Sequence, residues 1–133
     1  MKKVLLIDKD SALCDSLAEQ LAVHGYTVRC AHSSVEGRKL ALQEKPDAII
    51  TEAMLETDTA GFELVYQIRD DRPDSRYAAI RDTPILLLTA IDQLTHFRFS
   101  LNEKQSYLPT ISGMLSKPAQ IETLLGKLNE MVE

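Results

Sequence analysis

The sequence predicts an α/β fold, a doubly wound five-stranded parallel sheet of order 2-1-3-4-5 with helices on both faces. Three observations carry that expectation. Short continuous apolar runs, KVLLID, DAIITE and PILLLT, read as strands buried on both faces. They alternate with segments of helical period, which calls for right-handed crossovers between parallel strands. Each run also ends in a polar residue, at the carboxyl edge where open α/β sheets bind ligands.

The elements follow in order. Lys3 to Asp8 is the first strand. Asp10 or Ser11 caps a helix whose Leu13, Leu17 and Leu21 recur every fourth residue beside Ala18 and Ala22, and Gly25 stands where a left-handed cap belongs. Tyr26 to Ala31 is the second strand. Ser33-Ser34-Val35-Glu36 has capping-box spacing and opens a helix to about Lys45, before Pro46. Asp47 to Glu52 is the third strand, and a turn leads through Gly61 into the helical FELVYQIR. Pro84 to Thr89 is the fourth. From Ala90 to Ser112 the helical period lapses and Pro109 intervenes, so the fourth helix is expected to be shortened or replaced by loop. Gly113 to Ser116 is the fifth strand, and an amphipathic helix runs from about Ala119 with Ile121, Leu124, Leu125, Leu128, Met131 and Val132 on its apolar side. Five strands in this alternation suit the flavodoxin-like arrangement, whose switch point lies between strands one and three.

At 133 residues, 44% hydrophobic and 26% charged, the chain is expected to form one domain over residues 1–133. Five Gly, five Pro and two Cys exclude collagenous, disordered and disulfide-scaffold classes. The longest apolar runs fall far short of the roughly 18 residues of a spanning helix, and Met1-Lys2-Lys3 leads into a strand rather than a secretory leader. Fifteen basic against twenty acidic residues give a charge of −5, which argues against nonspecific binding to nucleic acid. Arg69, Arg72, Arg76 and Arg81 alternate with Asp70, Asp71, Asp74 and Asp82, a solvated mixed-charge surface rather than a basic stripe. Cys14 and Cys30 lack metal or redox spacing and read as reduced thiols of a cytoplasmic protein. His24, His32 and His96 show no ligand spacing. Phe97 and Phe99 either pin a loop to the core or form a partner patch.

Asp8, Glu52, Thr89 and Lys117 end the first, third and fourth strands and follow the fifth, so two carboxylates, a hydroxyl and an ammonium converge on one pocket. That set suits phosphoryl chemistry: a carboxylate as nucleophile, a metal held by carboxylates, and Thr and Lys contacting the same oxygens. The signatures of dinucleotide, P-loop and nucleophile-elbow sites are missing.

With LLID at Leu5 to Asp8, PDAII at Pro46 to Ile50, GFEL at Gly61 to Leu64, PILLLTA at Pro84 to Ala90 and SKP at Ser116 to Pro118, the chain resembles a response-regulator receiver domain of two-component signalling from Lys3 to about Val132. The resemblance implies a CheY-like phosphorelay module with Mg²⁺ as cofactor, an acceptor at the third strand's end, and metal ligands from Asp8, the acceptor position Glu52 and the Met54 backbone. It also implies a cis Lys117-Pro118 peptide.

Two departures fall on those positions. Glu52 stands where receivers carry aspartate, adding roughly 1.5 Å of reach, and a misplacement of about 1 Å can cost ~100-fold in rate. Lys9 stands where a second metal-binding acid belongs, and Asp10 is shifted by one residue. At about 5 Å and an effective dielectric of about 20, an ammonium opposes a dication by roughly 6 to 7 kcal/mol before screening. Two readings of the pocket remain: a weak Mg²⁺ site with Lys9 turned to solvent, or a metal-free cluster in which Lys9 and Lys117 pair with Glu52 and Asp8. Met114 occupies the position of the aromatic that follows the acceptor's state in receivers. The expected function is a pseudo-receiver acting by protein-protein interaction, with a histidine kinase, another signalling protein or a second copy as partner. The alternative is an active receiver that takes a phosphoryl group from a histidine kinase.

Overall fold

The computed structural model describes residues 2–90 and 111–132. Five strands, β1 (Lys2–Ile7), β2 (Tyr26–Ala31), β3 (Ala48–Thr51), β4 (Ile85–Ala90) and β5 (Gly113–Lys117), form one sheet of order β2-β1-β3-β4-β5. Every pairing is parallel, with Leu5 opposite Arg29 and Ile49, Ile50 opposite Leu86, and Leu87 opposite Met114. The doubly wound expectation holds in strand number, order and direction. The shortened fourth helix, with His96, Phe97 and Phe99, falls on residues 91–110 and lies outside the described residues.

Strand alternation divides the interior into two layers. Val4, Leu6, Ile50, Leu86 and Leu88 face α1 (Ser11–Ala22) and the C-terminal helix (Ile121–Met131), where Cys14, Leu17, Leu21, Leu124 and Leu128 meet them. Leu5, Ile7, Ile49 and Ile85 face α2 (Ser34–Glu44) and α3 (Ala60–Arg69), against Ala41, Leu64, Val65 and Ile68. The central strands are therefore apolar at successive positions because both faces are covered, and each fully buried Leu or Ile stabilises the fold by roughly 1.5–3 kcal/mol. Cys14 and Cys30 are free thiols within this packing, and burial pushes both pKa values up.

The helix boundaries have local causes. The Asp10 side chain accepts from the Leu13 amide at 3.1 Å and starts α1, and the chain then turns through Gly25 at a φ of 89°. Ser33 accepts from the Glu36 amide at 3.1 Å and starts α2, which closes on Lys45 in a left-handed conformation. Gly61, in the first turn of α3, is where helix and strand end come closest. A Cβ there would lie 2.2 Å from the Glu52 carbonyl oxygen and 2.7 Å from the Ala53 Cα.

Candidate functional site

β1 and β3 each end one residue before a carboxylate, so Asp8 and Glu52 emerge side by side at the carboxyl edge of the sheet. The Glu52 amide donates to the Ile7 carbonyl at 2.9 Å and the Asp8 amide to Ala31 at 2.9 Å, continuing the ladder just far enough to fix both Cα positions. Thr89 lies on β4 and Lys117 ends β5. The four residues expected to converge do so. Asp8, Glu52 and Thr89 are all buried.

Each carboxylate oxygen in this group faces a protein group. Lys117 Nζ donates to Asp8 Oδ2 at 2.7 Å and stands 3.0 Å from Glu52 Oε2. The second contact is off the hydrogen-bond axis, so Oε2 is charge-paired without a directed bond. The Thr89 hydroxyl donates to Glu52 Oε1 at 2.6 Å, and the Met54 amide approaches the same oxygen at 3.4 Å. Asp8 Oδ1 accepts from the Asp10 amide at 2.9 Å. Burial alone would lower the pKa of Lys117, but the hydrogen bond to Asp8 and the charges of Asp8 and Glu52 outweigh it and push the value up. A cavity of about 200 Å³ opens beside this network, with Lys9, Asp10 and Met54 on its wall. The Lys117–Pro118 peptide is cis.

A family model described as the response regulator receiver domain matches residues 4–129. The chain belongs to that family. Response regulator MprA of Mycobacterium ulcerans is 30% identical over 98% of this receiver, and the DNA-binding dual master transcriptional regulator RpaA of Synechocystis is 29% identical over 99%. The receiver spans about half the length of these relatives, 50% and 49%. Among solved structures, the chemotaxis response regulator CheY4 of Vibrio cholerae matches at 29% identity and a TM-score of 0.76, covering 98% of each chain. A CheY-like receiver from Methanospirillum hungatei matches at 26% identity and a TM-score of 0.76, covering 99% of this chain and 94% of its own. The receiver's place is thus in two-component signalling.

Receivers typically use Mg²⁺ in phosphorylation, and the donor set here does not fit that cation. Among the described residues no three acidic, His or Cys side chains are placed so that they could hold a metal ion together. Mg²⁺ requires a near-octahedral set of oxygens, whereas the two available carboxylates already share an ammonium at 2.7 and 3.0 Å. Asp10, one residue on from the position of the missing acid, gives its Oδ1 to the cap of α1. Met54 turns its amide toward Glu52.

One expectation is corrected. The ion-pair cluster contains Lys117 and both carboxylates but not Lys9, which is exposed and forms no ion pair among the described residues. Its four-carbon stem reaches water at little cost, so solvent solvates its charge. Met114 is half-buried against the small cluster of Ala53, Phe62 and Leu87 and does not line the cavity. An unbranched thioether fills that gap without needing a polar partner. Asp10 caps α1, as the sequence suggests, and also stands on the cavity wall.

The sequence reading missed two supports. His32 Nδ1 lies 3.0 Å from the Asp8 carbonyl, so a ring protonated at Nδ1 donates there and braces the backbone at Asp8. Glu56 accepts from the Ser34 amide at 2.8 Å and the Ser34 hydroxyl at 2.6 Å, tying the loop after Glu52 to the start of α2. Burial opposes the Glu56 charge, but these donors outweigh it and hold its carboxyl below the ordinary range. The signal for this tie was the second serine of the 33–34 pair, which a capping box leaves unused.

Proposed function

We propose that residues 1–133 form one pseudo-receiver, a signalling module that acts by protein-protein interaction with phosphorylation reduced or lost. The observation that carries this reading is the engagement of Glu52, whose carboxylate holds Thr89 at 2.6 Å and Lys117 at 3.0 Å. In this reading Glu52 holds the acceptor position and its longer arm fills volume that a phosphoryl group would need. Thr89 and Lys117, the hydroxyl and ammonium that would meet such a group, are committed to Glu52 instead. Lys117 supplies the positive charge that a metal supplies elsewhere in the family, and Lys9 adds a charge of the wrong sign for cation binding. Phosphoryl transfer then lacks a preorganised, charge-neutralising site.

The partner is a histidine kinase, another signalling protein or a second copy of the chain, met in the cytoplasm. Among the described residues no helix is long and apolar enough to cross a membrane. The DNA binding named for the Synechocystis relative belongs to a protein about twice as long as the match, and no nucleic-acid contact is assigned to this chain.

The retained Asp8, Thr89 and Lys117 favour one second reading, an active receiver that accepts a phosphoryl group on Glu52. Intact mass after exposure to a small acyl phosphate and Mg²⁺ separates the two. A pseudo-receiver keeps its mass. An active one gains a phosphoryl group in an amount approaching one per chain, and the gain disappears with Glu52→Gln.

A further inference from the structure

At the opposite end of the sheet from Glu52, the connection between α3 and β4, residues 70–84, is far longer than the roughly 2–6 residues usual between a helix and the next strand. It is nevertheless built rather than slack. Arg81 donates to the Asp70 carbonyl at 2.7 Å and the Arg72 carbonyl at 3.0 Å, and Arg69 donates to Thr83 at 2.7 Å. A 3₁₀ turn at Ala78–Ile80 sinks Ile80 into the core beside Tyr77. Long loops that are internally tied are the ones that carry function.

This loop, the end of α3 and Arg38 of α2 line a cleft of about 450 Å³ that is open to solvent, with Arg72, Asp74 and Arg76 exposed, a volume within the range of small-molecule sites. Its arginines are not equivalent. Arg72 is spent on Asp70, with Nε–Oδ2 at 2.9 Å, whereas Arg38 and Arg76 form no ion pair among the described residues. Two guanidiniums from different elements thus face one cleft in a chain of net charge −5. Asp74, Gln67 and Tyr77 stand on the same wall and offer an acceptor, an amide and a phenol.

We propose that this cleft binds a phosphorylated small molecule of nucleotide size, with its phosphate at Arg38 and Arg76 and its hydroxyl or amino donors toward Asp74 and Gln67. Guanidinium forks suit phosphate oxygens, and a bare anion would leave most of the volume and the Asp74 carboxylate without a partner. The proposal does not rest on the state of the Glu52 pocket.

Titration of the full chain with ADP, GDP, CDP and UDP, followed by amide chemical shifts and calorimetry, tests it. At least one nucleotide is expected to bind saturably with shifts centred on residues 38, 67 and 70–77, and more tightly than pyrophosphate. Arg38→Gln with Arg76→Gln is expected to weaken it about tenfold or more while leaving the thermal midpoint and the shifts of the sheet intact. Should that pair unfold the chain, Arg76→Gln alone, at an exposed position, is expected to weaken binding several-fold. No saturable binding by any of the four, binding unchanged by the folded variants, or pyrophosphate or a polyglutamate peptide binding as tightly as the nucleotides would overturn the proposal.

Discussion

Thr89 gives its hydroxyl hydrogen to Glu52 Oε1 across 2.6 Å, with both side chains buried. A charge-assisted bond this short, away from water, stabilises more than an ordinary one. It also fixes Thr89 on the carboxylate from β3 rather than leaving it free for an incoming oxygen.

Thr89→Val keeps the shape and removes the donor. Stability is expected to fall by about 2 kcal/mol, the range for a hydrogen bond to a charged group, as read from the midpoint of urea unfolding. A loss below about 0.5 kcal/mol would mean that the hydroxyl is not holding Glu52.

Lys117→Met leaves Asp8 and Glu52, whose side chains are 4% and 6% exposed, without their shared counter-charge. Removing one partner from a buried cluster costs about 3–5 kcal/mol. Adding Glu52→Gln is expected to recover part of that loss, because one of the two stranded charges goes with it. Recovery of nothing would place the cost elsewhere than in charge.

The same lysine sets an alkaline limit. Its folded pKa is raised above the ordinary 10.5, so its contribution is full below about pH 10.5 and is lost as pH rises through the higher folded value. The stability difference between wild type and Lys117→Met is therefore expected to be constant from neutral pH to about 10 and to narrow above it. A difference that narrows between pH 6 and 9 would contradict the assignment.

These contacts show what the sequence could and could not disclose. Apolar runs ending at Asp8, Glu52 and Thr89 disclosed the sheet, because burial on both faces leaves no other pattern. Convergence of the four residues followed from strand order alone. Pairing choices were less legible: Lys9 follows Asp8 directly in sequence, yet it turns to solvent while Lys117 takes both carboxylates, and spacing does not distinguish those fates. His32 and Glu56 support the site through a backbone carbonyl and a distant helix start, which only the packed fold brings within reach. Arg69, Arg72, Arg76 and Arg81 read as one mixed-charge surface, whereas Arg69 and Arg81 are spent on backbone carbonyls, Arg72 on Asp70, and Arg76 forms no ion pair among the described residues.

Gly61 tests how tightly the site backbone is held. A Cβ at this position would meet the Glu52 carbonyl and Ala53 Cα, backbone atoms that cannot turn aside. Gly61→Ala is expected to cost about 3 kcal/mol, at the upper end of overpacking, and to shift the amide resonances of Glu52 and Ala53. A thermal midpoint equal to that of the wild type would mean that α3 slides away freely.

Whether Glu52 and Lys117 themselves occupy the phosphoryl and cation positions is decided by intact-mass measurement with a small acyl phosphate and Mg²⁺ on two proteins. The wild type is expected to show no stoichiometric gain of a phosphoryl group, while Lys9→Asp with Glu52→Asp, which restores the second acid and shortens the acceptor, gains one that depends on Mg²⁺. A full, Mg²⁺-dependent adduct on the wild type that vanishes with Glu52→Gln would mean that Glu52 is a working acceptor and that Lys117 does not replace the cation.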